Sequence, residues 1–368
     1  MSGYDALLLV SFGGPEGPDD VMPFLENVTR GRGIPRERLE AVSHHYLALD
    51  GVSPINAQNR ALLDALRPAL AARGIDLPVY WGNRNWDPFL EPELRRIHAD
   101  GHRRVLAIAT SAYASYSGCR QYREDLGGAL VESGLADELV VDKVRHYFDH
   151  PGFVGPFADG VAAALATLAG EDVPGSAIRL LFTTHSIPTS MAAASGPPGR
   201  FDADGAYVAQ HLAAIEAVVA TVRARGIEVP PWELVYQSRS GSPHVPWLEP
   251  DINDALRAAA EGGMRAVVVV PIGFVSDHVE VVWDLDHEAR ETCEALGVRM
   301  LRVATPGTHP AFVEGIVDLV AERVAGGPVE ALSPLGPWPA VCARGCCANP
   351  RGMALPAVAG EDWPAVLE

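Results

Sequence analysis

Positive charge is scarce in this chain: 29 Lys and Arg stand against 47 Asp and Glu, a formal net charge of −18 over 368 residues. A field of that sign repels phosphate backbones, so nucleic acid is excluded as a partner and a cation is the more natural guest. Long apolar runs are missing too. The longest, such as VVVVPIGFV, stop well short of the roughly 18 residues a bilayer span needs, and MSGYDALLLVSF has neither a basic leader nor a cleavage site. Those absences predict a cytoplasmic protein without integral membrane association. Cysteine is sparse and odd in number, five in all, which argues against a disulfide framework and leaves metal or redox chemistry open.

What the sequence does contain is a series of short, β-branched apolar runs, each followed by a helical pattern: YDALLLVSF, LPVYWG, RRVLAIAT, IRLLFTTH, ELVYQS, MRAVVVVPIGF and VRMLRVAT, with DELVVDKV as a weaker eighth. Buried strands alternating with amphipathic helices predict an α/β fold of parallel sheets covered by helices. INAQNRALLDALRPALAARG and AYVAQHLAAIEAVVATVRARG both end on a glycine, the expected residue just past a helix C-terminus.

The order of elements repeats. VYWGNRNWDPFLEPEL is echoed by VYQSRSGSPHVPWLEPDI, where the shared LEP places Pro92 and Pro250 158 residues apart, and GHRRVLAIATSAY is echoed by GGMRAVVVVPIGF with an offset of 161. The reading is two similar Rossmann-like domains, residues 1–160 and 161–327, followed by a Pro/Gly-rich, cysteine-bearing tail over 328–368. Ligands of open parallel sheets sit at the carboxyl ends of the strands, so the active-site cleft is expected between the domains.

His185 closes one of those apolar strands, held at a strand-to-loop junction by SIP. A second feature lies just after the VVVVPIGF strand, where EVVWDLDHE packs four acids into nine residues with no Lys or Arg before Arg290. If 277–290 is helical, Glu280, Asp284 and Glu288 share one face. Like charges at that spacing repel, and a solvated stripe normally alternates its signs. A stripe that starts at the end of a buried strand can instead lead a divalent cation from solvent into the cleft.

With LLLVSFGGPEG, RGRG, GVSPIN, SAYASYSGCRQY, TTHSIP, YQSRSG, PWLEPD and PIGFVSDHVEVVWDLDHE in this order, the chain resembles the ferrochelatases, which insert ferrous iron into a porphyrin. The resemblance covers nearly the whole length. It implies that His185 and Glu280 are the catalytic pair, facing each other across the macrocycle, and that Asp284 and Glu288 belong to an acidic line delivering metal. It further implies porphyrin contacts at Ser53 and Tyr122, with Arg30 and Arg32 as charge partners of propionates. Phe12 departs from the pattern, standing where Firmicute relatives carry a tyrosine that can ligate product iron, which leaves His185 as that axial ligand.

LENVTRGRG, YSGCRQY and WDLDHE are similar to the high-GC Gram-positive branch. That likeness implies coproporphyrin III as substrate, coproheme as product, and a downstream coproheme-using enzyme as partner. PEGPDDVMPFLENV, with spaced acids and a modest apolar face, favours such a soluble, tetra-anionic substrate. Protoporphyrin IX is the alternative substrate, and a non-catalytic tetrapyrrole or metal carrier, or a cobalt or nickel chelatase, are the alternative functions.

In the tail, Cys342, Cys346 and Cys347 form C-x3-C-C. Three thiols so close in a chain read as cytosolic point to a soft metal site. The resemblance implies a [2Fe-2S] cluster, which needs four ligands. The fourth is Cys119, Cys293 or a non-cysteine; Cys119, in a loop after a strand, is preferred over Cys293 on a predicted helix.

Overall fold

A computed structural model describes residues 3–31, 33–239 and 244–363. All eight runs form strands: β1 (Ala6–Ser11), β2 (Val79–Asn83), β3 (Arg104–Ala109), β4 (Val140–Lys143), β5 (Ile178–His185), β6 (Trp232–Gln237), β7 (Ala266–Val270) and β8 (Arg299–Arg302). They make two four-stranded parallel sheets of one design, ordered β2-β1-β3-β4 and β6-β5-β7-β8. The central strands β1 and β7 are buried at every position because helices cover both faces, which is why their sequences run apolar without alternation.

The helices are α1 (Val21–Val28), α2 (Arg36–Leu47), α3 (Ile55–Ala72), α4 (Leu90–Ala99), α5 (Gln121–Ser133), α6 (Pro151–Gly170), α7 (Thr189–Ala193), α8 (Gly205–Ala224), α9 (Ile252–Glu261), α10 (Val279–Val281), α11 (Arg290–Leu296) and α12 (Pro310–Val324). Gly74 and Gly226, just past α3 and α8, adopt φ of +73° and +77°. The glycines read as helix stops therefore take the left-handed conformation that other residues resist.

The repeat is real, but its alignment shifts by four residues. Asp87-Pro88 and Glu249-Pro250 are both cis peptides. The Asn83 N–H donates to the Pro88 carbonyl, and the Tyr236 N–H donates to the Pro250 carbonyl. Pro88, not Pro92, is thus the counterpart of Pro250, and the offset becomes 162, in step with the 161 of the neighbouring strands. The shared LEP misled because Pro92 lies inside the first turn of α4, whereas Pro250 precedes α9.

The two halves are joined by exchanged helices. α6 follows the first sheet yet packs on α8 and β7 of the second, while α12 follows the second sheet and packs on α3 of the first; the two also pack on each other. One apolar core results, containing Leu7 and Leu9 of β1, Phe153 and Phe157 of α6, Val268 of β7, and Phe312 and Ile316 of α12. By length and composition α6 and α8 could cross a bilayer, but half and two-thirds of their most apolar windows are buried inside the protein.

The exchange is pinned by matching ends. His150 caps α6, its Nδ1 accepting the Gly152 N–H at 3.1 Å, and His309 caps α12, its Nδ1 accepting the Ala311 N–H at 3.2 Å. His309 Nε2 lies 3.4 Å from Asp159, and His150 faces Asp318 and Glu330 within 4.8 Å. Arg225, at the end of α8, pairs with Asp159 at 2.7 Å, and Arg73, at the end of α3, pairs with Asp318 at 2.9 Å. Because Nδ1 of His150 is an acceptor, the neutral ring carries its proton on Nε2, which has no hydrogen-bond partner among the described residues.

The tail is irregular, as its composition predicts, but it is docked and not loose. Trp338, Ala357 and Val358 are buried. Arg123 of α5, fully buried, donates Nε–H to the Val358 carbonyl at 2.6 Å. Opposite the same helix, the Pro356 carbonyl lies so close to Gly127 that a Cβ there would overlap it.

Candidate functional site

His185 closes β5 at the mouth of the cleft. A backbone carbonyl can only accept, so the ring nitrogen 2.5 Å from the Ser186 oxygen must carry a proton: Nδ1–H donates. Nε2 is left facing Glu280, 3.5 Å from its Oε2. Behind the ring, Tyr207 donates its hydroxyl to the His185 carbonyl at 2.8 Å and contacts Thr184 Oγ1 at 2.9 Å, fixing the strand end.

Glu280 sits on α10, whose N-cap is His278. Burial alone would raise its pKa, but the facing His185 imidazole, with His278 and His45 further off, brings it down to about 2. For His185, burial lowers the pKa while the Glu280 carboxylate raises it, and the carboxylate prevails, so the net shift is upward. The expected placement of the pair on opposite faces of a macrocycle is not what the structure shows. A flat ring between two groups needs a van der Waals contact of about 3.5 Å on each side, and the whole separation here is 3.5 Å. Both groups occupy one wall of the cleft.

Beyond Glu280 the chain continues as a π-helix, Val282–Ala289, before returning to α-helix at Arg290. Its i→i+5 bonding holds more than four residues per turn, so residues four apart fall just short of one turn instead of overshooting it. Glu280, Asp284 and Glu288 keep a common side. Asp284 receives the Ser238 hydroxyl and, at 3.3 Å, the Gln237 amide. Burial first, and then the charges of Glu280 and Glu288, push its carboxyl up to about 7 against the opposing Ser238 hydrogen bond. Glu288 accepts the Trp283 indole N–H at 2.9 Å, and Trp283 stacks on His45 with ring centroids 4.3 Å apart. Sequence reasoning did not single out Gln237, Ser238, His45 or Trp283. Ser238 has φ of +61°, unusual for serine, and sits in the YQSRSG motif that was the available signal.

In the first half, Phe12 packs against the cluster that also holds Val279, the neighbour of Glu280. Phe12, next after β1, packs on Phe24 at 6.2 Å, and the Arg84 guanidinium lies 5.6 Å from the Phe12 ring and 4.5 Å from that of Tyr122. Arg84 Nε donates to Asp125 at 2.5 Å. Tyr122 is buried on α5, and burial raises its hydroxyl pKa. Ser53 is also buried, against Gly14, which has no room for a Cβ beside it. It does not cap α3, whose N-cap is Pro54. Arg30 is exposed and lines a cavity with Arg84 and Tyr116; Arg32 lies outside the described residues.

A profile of the family described as Ferrochelatase matches residues 4–324. The chain belongs to the ferrochelatase family. It is 57% identical over 369 residues to a protein of Leifsonia xyli named coproporphyrin III ferrochelatase, spanning 97% of this chain and 94% of that one. A Streptomyces griseus protein of the same name is 58% identical over 371 residues, spanning 99% and 98%. Among solved structures, SirB from Bacillus subtilis with Fe3+ superposes with a TM-score of 0.50 at 11% identity, covering 88% of this chain and 96% of that one; this likeness supports the chelatase fold alone.

This ferrochelatase-family chain also gathers four of its cysteines. Cys119, Cys342, Cys346 and Cys347 are buried and unoxidised. Cys119 hydrogen-bonds with Cys342, Cys342 with Cys346, and the Cys346 and Cys347 sulfurs are 3.8 Å apart. Hydrogen bonds from Cys119 and Cys346 hold Cys342 well below the usual thiol range, aided by Lys143 and Arg123, and the thiolate is the metal-binding form. His146 Nε2 contacts Cys119 Sγ at 2.9 Å. Cys293 lies in a different core, against Met300 and Leu285, away from this group.

Proposed function

We propose that this chain inserts ferrous iron into coproporphyrin III, giving coproheme, and that His185 and Glu280 carry the chemistry. The observation behind it is the contact of these two side chains on one wall of the cleft, at the head of the line Glu280, Asp284, Glu288. Metallation requires an anionic ligand to strip water from the incoming iron and an acceptor for two pyrrole protons. Glu280, ionised down to about pH 2, is a standing carboxylate ligand. His185, whose pKa the Glu280 carboxylate raises above the ordinary imidazole value against the effect of burial, is the proton acceptor. Asp284, at about 7, changes protonation state as a cation passes, so it can receive iron and then be discharged.

The opposite wall binds. Phe12 and Tyr122 flank the macrocycle, Ser53 and Arg30 meet its periphery, and Phe12 supplies no ligand atom to the product. In this reading residues 1–160 chiefly hold the porphyrin and residues 161–327 chiefly react. A cytoplasmic site of action and a downstream coproheme-using enzyme accompany it.

We infer that Cys119, Cys342, Cys346 and Cys347 hold a [2Fe-2S] cluster. The donor set has the right number and softness, and two buried polar atoms beside it, Arg123 Nη1 and His146 Nδ1, have no hydrogen-bond partner among the described residues. Cys119 sits not in a loop but in a π-helical turn, Tyr116–Arg120, that leads into α5, so when bound the group would supply a redox-sensitive bond between that turn and the tail. The test of the whole reading is anaerobic incubation with ferrous iron and either coproporphyrin III or protoporphyrin IX, following porphyrin fluorescence and the metallated Soret band. Faster metallation of coproporphyrin supports the proposal. Faster metallation of protoporphyrin replaces the substrate, and tight binding without metallation assigns a carrier.

A further inference from the structure

Beside the Phe12 and Tyr122 wall lies a cavity of about 200 Å³, bordered by Arg30, Arg84 and Arg351 and by the side chains of Asn27, Tyr116 and Asp125. Three guanidinium groups around one small cavity contrast with a chain whose net charge is −18. Asp125 is the one acid among the lining residues, and Arg84 already neutralises it at 2.5 Å. Arg30 and Arg351 are left facing the cavity, with no acid paired to either among the described residues. Arg30 comes from the loop after α1, Arg84 from the end of β2, and Arg351 from the tail, four residues beyond Cys347. Asn349 positions that last residue: its Oδ1 accepts the Arg351 N–H at 3.0 Å, and its Nδ2 donates to the Tyr116 hydroxyl at 3.0 Å. Tyr116 in turn donates to Glu124 at 3.1 Å, so the tail is tied to the cavity floor by a continuous hydrogen-bonded path.

We propose that this cavity takes one propionate carboxylate of the porphyrin, and that Arg351 is a substrate-binding residue supplied by the cysteine-bearing tail. The inference rests on the porphyrin reading above. A planar guanidinium donates two parallel hydrogen bonds to a carboxylate, and Arg84 brings the cavity within one side chain of the cleft, since its other contacts are the Phe12 and Tyr122 rings. The tail then does more than fasten a metal centre: it completes the binding wall.

Equilibrium titration of the full chain with coproporphyrin III, read by fluorescence and without iron, tests this apart from catalysis. Arg351→Ala is expected to weaken binding about tenfold, the loss typical of one charge-assisted pair, and Arg351→Lys to recover part of it. Arg351→Ala should flatten the salt dependence of the affinity, and Arg351→Lys, which keeps the charge, should leave it in place. Arg344→Ala, which removes another exposed tail arginine, one whose guanidinium donates to the Glu361 backbone carbonyl, is expected to bind as the parent does. Equal affinity of parent and Arg351→Ala overturns the proposal, as does an equal loss in Arg344→Ala, which would mark a general charge effect. A parent chain that binds no porphyrin would instead bring down the proposed function and this pocket together. Loss of citrate binding in calorimetry with coproporphyrin affinity intact would assign the cavity to a free carboxylate and overturn it as well.

Discussion

The two sheets share their strand order, their cis-proline loops after the second strand, and their histidine-capped final helices, yet their strand ends carry different chemistry. At the end of β1 stand Phe12 and Gly13; at the equivalent end of β5 stand Thr184 and His185. After β2 comes Arg84, held between two rings, and after β6 comes Ser238, in a left-handed conformation and bonded to an acid. The scaffold stayed symmetric while the loops diverged, one set toward gripping a flat anionic ligand and the other toward titratable groups. Duplicated sheets allow this because strand ends sit at the surface of a rigid core, where side chains change without disturbing packing.

That division can be broken by substitution, and the largest effect belongs to the second half. His185→Ala should reduce metallation on the order of 10³-fold while porphyrin affinity, measured by fluorescence, is retained; lost affinity would mean that the reacting half also binds. Next in size, Tyr122→Phe in the first half should raise the coproporphyrin dissociation constant about fivefold with the turnover number spared. A fall in turnover at saturating substrate would blur the comparison.

A finer test uses pH. The neutral His185 ring is the acceptor, and Glu280 raises its pKa above the ordinary 6.5, so metallation should climb with pH through that raised value. Glu280→Gln should move this acid limb to lower pH, seen in rate profiles of whatever activity remains. The same pair affects folding with opposite signs. The raised His185 pKa contributes stability that is present below the unfolded value and lost as pH rises through the folded one. The depressed Glu280 pKa contributes stability present above about 4.3 and lost as pH falls toward about 2. Smallest of all, Arg73→Ala and Arg225→Ala remove symmetry-related, solvent-exposed partners of Asp318 and Asp159. Each should leave the denaturation midpoint nearly unchanged and equal to the other; unequal shifts would show that the exchanged helices are not held alike.

Much of this was legible in the sequence. Continuous β-branched runs such as VVVVPIGF announce strands buried on both faces, and a histidine ending IRLLFTTH can only emerge where ligands bind. Even the weak run DELVVDKV became an edge strand, β4. Other features were hidden for physical reasons. Nothing in VWDLDHEA distinguishes a π-helix from an α-helix, because the apolar and acidic positions suit either winding. The three-residue LEP match outweighed the true counterpart because a cis peptide has no sequence signature beyond proline itself. The approach of Cys342 to Cys119 depends on how far apart segments meet in space. The resemblance placed His185 and Glu280 on opposite sides of the ring, whereas their single wall follows from where β5 and α10 end.

The seam between α5 and the tail has a consequence for biogenesis. Cys119 and Arg123 leave the ribosome long before residues 342–358, so the first half must emerge with a guanidinium and a thiol prepared for a covering that does not yet exist. Through that interval the seam is a docking face without its partner. The tail, made after both sheets, therefore closes the domain made before the second sheet, and a ribosome stalled after α12 would leave that closure undone.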